Sequence, residues 1–233
     1  MKNAGILYIV GTPIGNLADM TYRAVTTLKL VNYIACEDTR TSKKLLDHYQ
    51  IENKTLIAYH NFNEPKSTAT IIKLLQAGND VALISDAGMP AIADPGFYLI
   101  REARKVQINI SIIPGVSALT SAMALSNLGP EFTFLAFGKN TRAQAAKQIA
   151  SFTPGTYVFF IAPHKLKFLL DQLDLFHFEK HQICLAAWAL VFLPKAKKVN
   201  SGPKLLKAIA LVKALTPGMI LILMWAFLAS RIK

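Results

Sequence analysis

The chain has 233 residues, 52% of them hydrophobic and 17% charged, so it can bury a sizeable core and is not a disordered chain. Its formal net charge of +12 is uneven: residues 1–113 hold 12 Lys/Arg against 10 Asp/Glu, a net +2, and residues 114–233 hold 14 against 4, a net +10. A basic half points to a polyanionic partner such as nucleic acid, although solubility alone also accounts for it. The longest apolar run, Met219 to Ala229, falls short of the roughly 20 residues a membrane helix needs and reads as a buried strand. No secretory leader pattern opens the chain. Cys36 and Cys184 lie far apart, each in an apolar run, with no metal-ligand spacing. They read as core thiols, and no metal site is expected.

In chain order, strand-like runs fall at Ile6–Gly11, Tyr33–Glu37, Leu56–His60, Val81–Asp86 and Ile108–Pro114, separated by stretches of helical spacing. Glu64-Pro65 opens one such stretch and Gly78 follows its end. Alternation of this kind predicts an α/β fold with a mostly parallel sheet, and the nearly all-apolar strands predict cover on both faces. From Ser117 to about Leu128 a helix is expected, followed by runs at Phe132–Gly138, Tyr157–Ala162, Ile183–Ala189 and Met219–Trp225. This reads as two α/β domains, 1–115 and 116–233, the first sheet mostly parallel and the second mixed. Lys195–Lys198 is a short charge run that suits a solvated loop.

Chemistry in such folds sits just past the carboxyl ends of strands. The first strand runs into Gly11-Thr12-Pro13-Ile14-Gly15-Asn16-Leu17, a tight turn without phosphate-loop spacing. The second ends in Glu37-Asp38-Thr39-Arg40, where Asp38 can cap a helix and pair with Arg40, or the group can serve a ligand. The fourth ends in Ser85-Asp86-Ala87-Gly88-Met89-Pro90, followed by Asp94-Pro95-Gly96, and the fifth in Pro114-Gly115-Val116-Ser117-Ala118. Each turn has a structural explanation alone. Three Gly/Pro-rich turns at the ends of strands of one sheet describe a cleft lined by backbone groups, suited to a nucleoside-like ligand. His60, alone at the third strand end, is a weaker candidate for proton transfer.

Taken together, LYIVGTPIGNLADMTYRA, ACEDTRTSKKLL, SDAGMPAIADPG and IPGVSALTSA resemble the signature stretches of the ribosomal RNA small subunit methyltransferase I family, within the tetrapyrrole methylase superfamily. The likeness runs in register over about the first 130 residues and continues more weakly through FFIAPHKL. It implies two α/β domains with S-adenosylmethionine in the cleft between them. It also implies a cytoplasmic homodimer and, as reaction, 2′-O-methylation of a cytidine ribose in the RNA of the small ribosomal subunit. Carried over by position, the cofactor meets Thr12 and Pro13, Asp86, Ala87, Gly88 and Met89, Ser117 and Ala118, and Ala162 and Pro163. Glu37, Asp38 and Arg40 carry the chemistry, and Arg23, Asp94, His164 and Lys165 face RNA.

The second half departs from the family pattern. Ile161-Ala162-Pro163-His164-Lys165 stands where the family reads Glu ahead of Ser-Pro-His-Arg, and Arg to Lys forfeits bidentate geometry. Ala186 to Phe192 is apolar where the family has Arg-Glu-Leu-Thr-Lys, and Lys139-Asn140-Thr141-Arg142 replaces a Pro-Arg-Lys-type loop. Two other readings therefore stay open. One is a weakened relative that binds S-adenosylmethionine or RNA without turnover. The other is a methylase acting on a small tetrapyrrole, because a shared fold does not choose the substrate.

Overall fold

A computed structural model describes residues 3–126, 129–137, 141–153, 155–161, 182–187 and 219–224. The chain divides after Ser117 into two compact units. In the first, β1 (Ile6–Val10), β2 (Tyr33–Cys36), β3 (Thr55–Ala58), β4 (Val81–Ile84) and β5 (Asn109–Ile113) alternate with α1 (Tyr22–Leu30), α2 (Thr39–His48), α3 (Glu64–Gln76) and α4 (Phe97–Lys105). The strands form one wholly parallel sheet in the order β3-β2-β4-β1-β5.

Side-chain alternation along the strands divides the core between the two faces. Val81 and Leu83 of β4 join Leu7, Ile9, Tyr59, Ile71, Leu75 and Leu99 in one buried cluster. Ala82 and Ile84 join Val10, Leu28, Ile34, Leu46 and Ile113 in the other. Helices α3 and α4 thus cover one face and α1 and α2 the opposite one. Burial on both faces explains why the strands read as unbroken apolar runs. The apolar runs overshoot the strands by one or two residues: Glu37, His60 and Asp86 lie just past the strand ends, on the turns.

The strand order locates a crevice. The connection from β1 passes β4 to reach β2 and the connection from β4 passes β1 to reach β5, with α1 on one face of the sheet and α4 on the other. Neighbouring strands whose connections leave over opposite faces open a crevice at their carboxyl ends, where ligands bind in sheets of this kind. β1 and β4 are such a pair.

The second unit contains α5 (Ala118–Ser126), β6 (Thr133–Phe137), α6 (Arg142–Ala150), β7 (Thr156–Ile161), β8 (Gln182–Ala187) and β9 (Met219–Met224). Its sheet runs β6-β7-β9-β8. The sequence suggested a mixed sheet here. The four described strands pair only in parallel. Leu119, Ala122 and Met123 of α5 pack with Phe134, Val158 and Phe160. Among the described residues, no helix is long and apolar enough to cross a membrane.

Candidate active site at the strand ends of the first sheet

The turns after β1 and β4 are joined directly across the crevice. Thr12 N donates to Gly88 O at 2.9 Å and Gly88 N donates back to Thr12 O at 3.1 Å. The buried Thr12 hydroxyl donates to Ser85 O at 3.1 Å. Pro13 is buried beside it. The turn after β5 closes on the same place: Gly11 N donates to Ile113 O at 3.0 Å. A Cβ on Gly11 would lie 2.7 Å from Gly115 Cα and from Met89 Sδ, so only glycine lets these three segments meet. Gly88 has φ +82, and a Cβ there would meet only Ile14 Cγ2 at 3.4 Å and Val116 O at 3.9 Å. Its surroundings leave room for a flat group to lie against the backbone. Ser117, half-buried, ends the first unit, and Ala118 opens α5 in the second.

One step along the sheet edge lie the carboxylates. Asp38 N donates to Asp86 Oδ1 at 3.1 Å, linking the β2 and β4 turns. Burial, then the neighbouring charge of Asp38, raises the Asp86 carboxyl above its ordinary range, opposed by that backbone bond and by Arg40. Glu37 is likewise raised, by burial first and then by Asp86. Its Oε2 is buried and has no hydrogen-bond partner among the described residues. Asp94 is pushed up to about 7 by burial and then by the charges of Glu37 and Asp86, against a hydrogen bond from Ser85. An unpartnered buried carboxylate oxygen is costly unless something else satisfies it.

Asp38 stands apart from this group. It is the N-cap of α2, accepting from Arg40 N at 2.8 Å, and holds the Arg40 guanidinium at 3.1 and 2.7 Å. Those bonds to Arg40 bring its carboxyl down to about 2. Of the two readings the sequence allowed for Asp38, cap and local pair is the one displayed. Arg40 itself is 87% exposed while held by Asp38. Arg23 lies exposed in the first turn of α1, whose N-cap is Thr21. His60 donates its backbone N–H to Asn63 Oδ1 at 2.9 Å, while its Nδ1 is buried and without a partner among the described residues.

The structure thus gathers Thr12, Pro13, Asp86, Gly88 and Met89 at the crevice, with Glu37 and Asp94 beside them. Arg23 and Arg40 lie exposed in the first turns of α1 and α2. Ala162, Pro163, His164 and Lys165 lie outside the described residues. Sequence reasoning passed over Tyr59 and Glu64. Tyr59 is fully buried, and burial, only partly offset by the Thr68 hydroxyl, pushes its phenol up to about 12. The only local sign of Glu64 was its place ahead of Pro65 at a helix start.

A doubly covered parallel sheet with glycine-built turns where neighbouring connections leave over opposite faces defines a small-molecule-binding α/β domain, and comparison gives it a family. Residues 6–190 match the family described as Tetrapyrrole (Corrin/Porphyrin) Methylases. Ribosomal RNA small subunit methyltransferase I of Mycoplasmopsis pulmonis is 52% identical over 161 residues, 69% of this chain and 72% of that protein. Its namesake in Mesomycoplasma conjunctivae is 48% identical, covering 70% and 69%. The crystal structure of uroporphyrin-III-C-methyltransferase from Thermus thermophilus shares the fold, with TM-score 0.52 and 20% identity over 73% of each chain. The chain belongs to the tetrapyrrole methylase family, in its ribosomal RNA small subunit methyltransferase I branch. S-adenosylmethionine is the methyl donor of that family.

Proposed function

We propose that this chain transfers the methyl group of S-adenosylmethionine to the 2′-hydroxyl of a cytidine ribose in small-subunit ribosomal RNA, with Glu37 as the proton acceptor. The observation that carries the proposal is the buried, unpartnered Oε2 of Glu37 at the strand end beside the crevice. The names of the relatives and the +10 carried by residues 114–233 support an RNA substrate over a small tetrapyrrole.

The crevice fits the donor. The Thr12–Gly88 backbone pair fixes the two turns, the open φ +82 position at Gly88 admits a flat base, and half-buried Asp86 has a second oxygen free to accept from a ribose or an ammonium. Thr12, Pro13, Asp86, Ala87, Gly88, Met89 and Ser117 are the residues we assign to it. When bound, it supplies a methyl group already activated by a positive sulfur, so the protein's task is positioning and proton removal.

A ribose hydroxyl attacks only as its proton leaves, and a carboxylate whose basicity has been raised by burial is better matched to that task than an exposed one. Glu37 meets this condition. Asp94, pushed up to about 7 by burial and by the charges of Glu37 and Asp86, exchanges its proton near neutral pH beside Glu37. As Asp94 ionises, its charge makes Glu37 a stronger base. Asp38 holds Arg40 at the rim, where the guanidinium can meet an RNA phosphate, and exposed Arg23 offers a second contact. Asp38 is then a support for Arg40, not a base.

The test is transfer of labelled methyl from S-adenosylmethionine to isolated small ribosomal subunits, with a porphyrinogen in parallel. Label in a ribose that resists alkaline cleavage supports the proposal. Label in the porphyrinogen alone transfers the reading to the tetrapyrrole class. Donor binding without transfer to either supports the weakened relative, which the changed Ile161–Lys165 stretch favours.

A further inference from the structure

Helix α4 carries no cap of its own. Its N-cap is Gly96, which has no side chain to satisfy the first-turn amides, and a helix start leaves four such donors open. Two of them are satisfied from elsewhere in the fold. Gly96 N donates to Glu64 Oε1 at 3.0 Å, from the first turn of α3. Leu99 N donates to the buried hydroxyl of Tyr59 at 3.1 Å. Tyr59 N in turn donates to Cys36 O at 2.8 Å, the carbonyl that directly precedes Glu37. Residues 59–64 therefore run from the base of Glu37 to the start of α4.

The segment held by this cap is the one that carries Asp94. Residues 91–96 turn tightly, with Ala91 N donating to Pro95 O at 3.2 Å. Ala91 and Ala93 have φ of 66 and 64, and Gly96 has 137. Alanine in the left-handed region is strained and persists only where the surroundings impose it. The turn is closed by the Ala91 to Pro95 backbone bond, its Asp94 is held by Ser85, and its exit is fixed by Glu64. A Cβ at Gly96 would lie 2.8 Å from Leu83 Cδ2, so the turn is also pressed against the core.

We infer that Glu64 is a positioning residue for methyl transfer: by accepting from Gly96 N it caps α4 from outside and holds the strained 91–96 turn so that Asp94 stays half-buried beside Glu37, Asp86 and Ser85. The inference rests on the reading above, in which Asp94 sets the basicity of Glu37. Glu64 touches neither donor nor acceptor in this scheme. Its side chain accepts from Gly96 N and also interacts with the Tyr59 hydroxyl, and a glutamine carbonyl can accept the Gly96 bond equally well. The groups facing Asp94 are Glu37 and Asp86, whose charges raise it, and Ser85, whose hydroxyl opposes them.

The experiment follows Asp94 directly, by carbon-13 NMR titration of its carboxyl in the full chain, alongside turnover on small ribosomal subunits. In the wild type the carboxyl titrates near neutral pH. In Glu64→Ala the turn opens to water and the titration falls back toward the ordinary aspartate range, with turnover reduced about 10- to 100-fold, the loss that a small misplacement produces. Glu64→Gln restores both. Glu64→Asp, too short to reach Gly96 N, behaves like the alanine variant and serves in its place if that one does not fold. An unchanged Asp94 titration in Glu64→Ala overturns the inference, and so does a Glu64→Gln variant as impaired as Glu64→Ala. Asp94→Asn separates the two ideas: wild-type turnover and pH dependence in that variant would sink the role of Asp94 in transfer, while the titrations still decide whether Glu64 positions it.

Discussion

The turns after β2 and after β4 each present aspartates at the same edge of one sheet, and they treat them in opposite ways. Asp38, in the first, faces water, caps α2 and grips Arg40, and its carboxyl sits at about 2. Asp94, in the second, is half-buried among other carboxylates in a strained turn and sits at about 7. The residue type is identical and the separation is one strand. What differs is solvent, the sign of the neighbouring charge and who supplies the hydrogen bonds. A carboxylate at a strand end is therefore not a role; the turn that carries it decides whether it is a cap or a proton-holding group.

The contrast can be broken in several places. Asp86→Ala, which removes the acceptor that ties the β2 turn to the crevice, should weaken S-adenosylmethionine binding by roughly 1–3 kcal/mol. Calorimetry checks it, and unchanged affinity removes Asp86 from the donor site. Gly96→Ala forces a side chain into a φ +137 position against Leu83, at a cost on the order of 1–3 kcal/mol in chemical denaturation. A neutral outcome there would mean that the β4 turn is not held as described.

Asp94→Asn should lower turnover at pH 8 about tenfold and abolish the rise in rate through neutral pH. It also has a stability signature. The folded value of Asp94, about 7, lies above the ~3.9 of an unfolded chain. The folded state thus holds a proton that the unfolded state has released, and this favourable contribution is complete below about pH 4 and is lost as pH rises to about 7. The asparagine variant should show a flatter stability profile across that window, measured by urea midpoints. Parallel profiles would return Asp94 to an ordinary surface acid. Asp38→Ala is the smallest change: about 1 kcal/mol from loss of the α2 cap, with donor affinity unaltered. A loss of turnover as large as that expected of a proton acceptor would erase the distinction between the two turns.

Much of this was legible in the sequence. The five strands of the first unit, their mostly parallel pairing and the turns at Thr12, Asp86 and Ser117 followed from apolar periodicity and Gly/Pro placement, and the combined motifs resembled the family to which the chain belongs. The environments of Asp38 and Asp94 were not legible. Asp38 carries a local cap signal, yet the same signal suits a ligand site. Asp94 is half-buried by a turn whose left-handed residues include Ala91 and Ala93, and alanine leaves no trace of such a conformation in a sequence. Glu64 and Tyr59 act on Gly96 and Leu99 at separations of 32 and 40 residues, beyond any local pattern. The directions of the second unit's strands, parallel among those described where a mixed sheet was expected, were not legible, since apolar runs do not report strand direction.

The central claim is that Glu37 takes the ribose proton. Single-turnover methyl transfer to small ribosomal subunits, at saturating S-adenosylmethionine, compares the wild type with Glu37→Gln, which keeps the shape and removes the base. The account predicts a rate lower by at least about 100-fold with donor affinity within twofold. A Glu37→Gln variant that transfers methyl at the wild-type rate would contradict it.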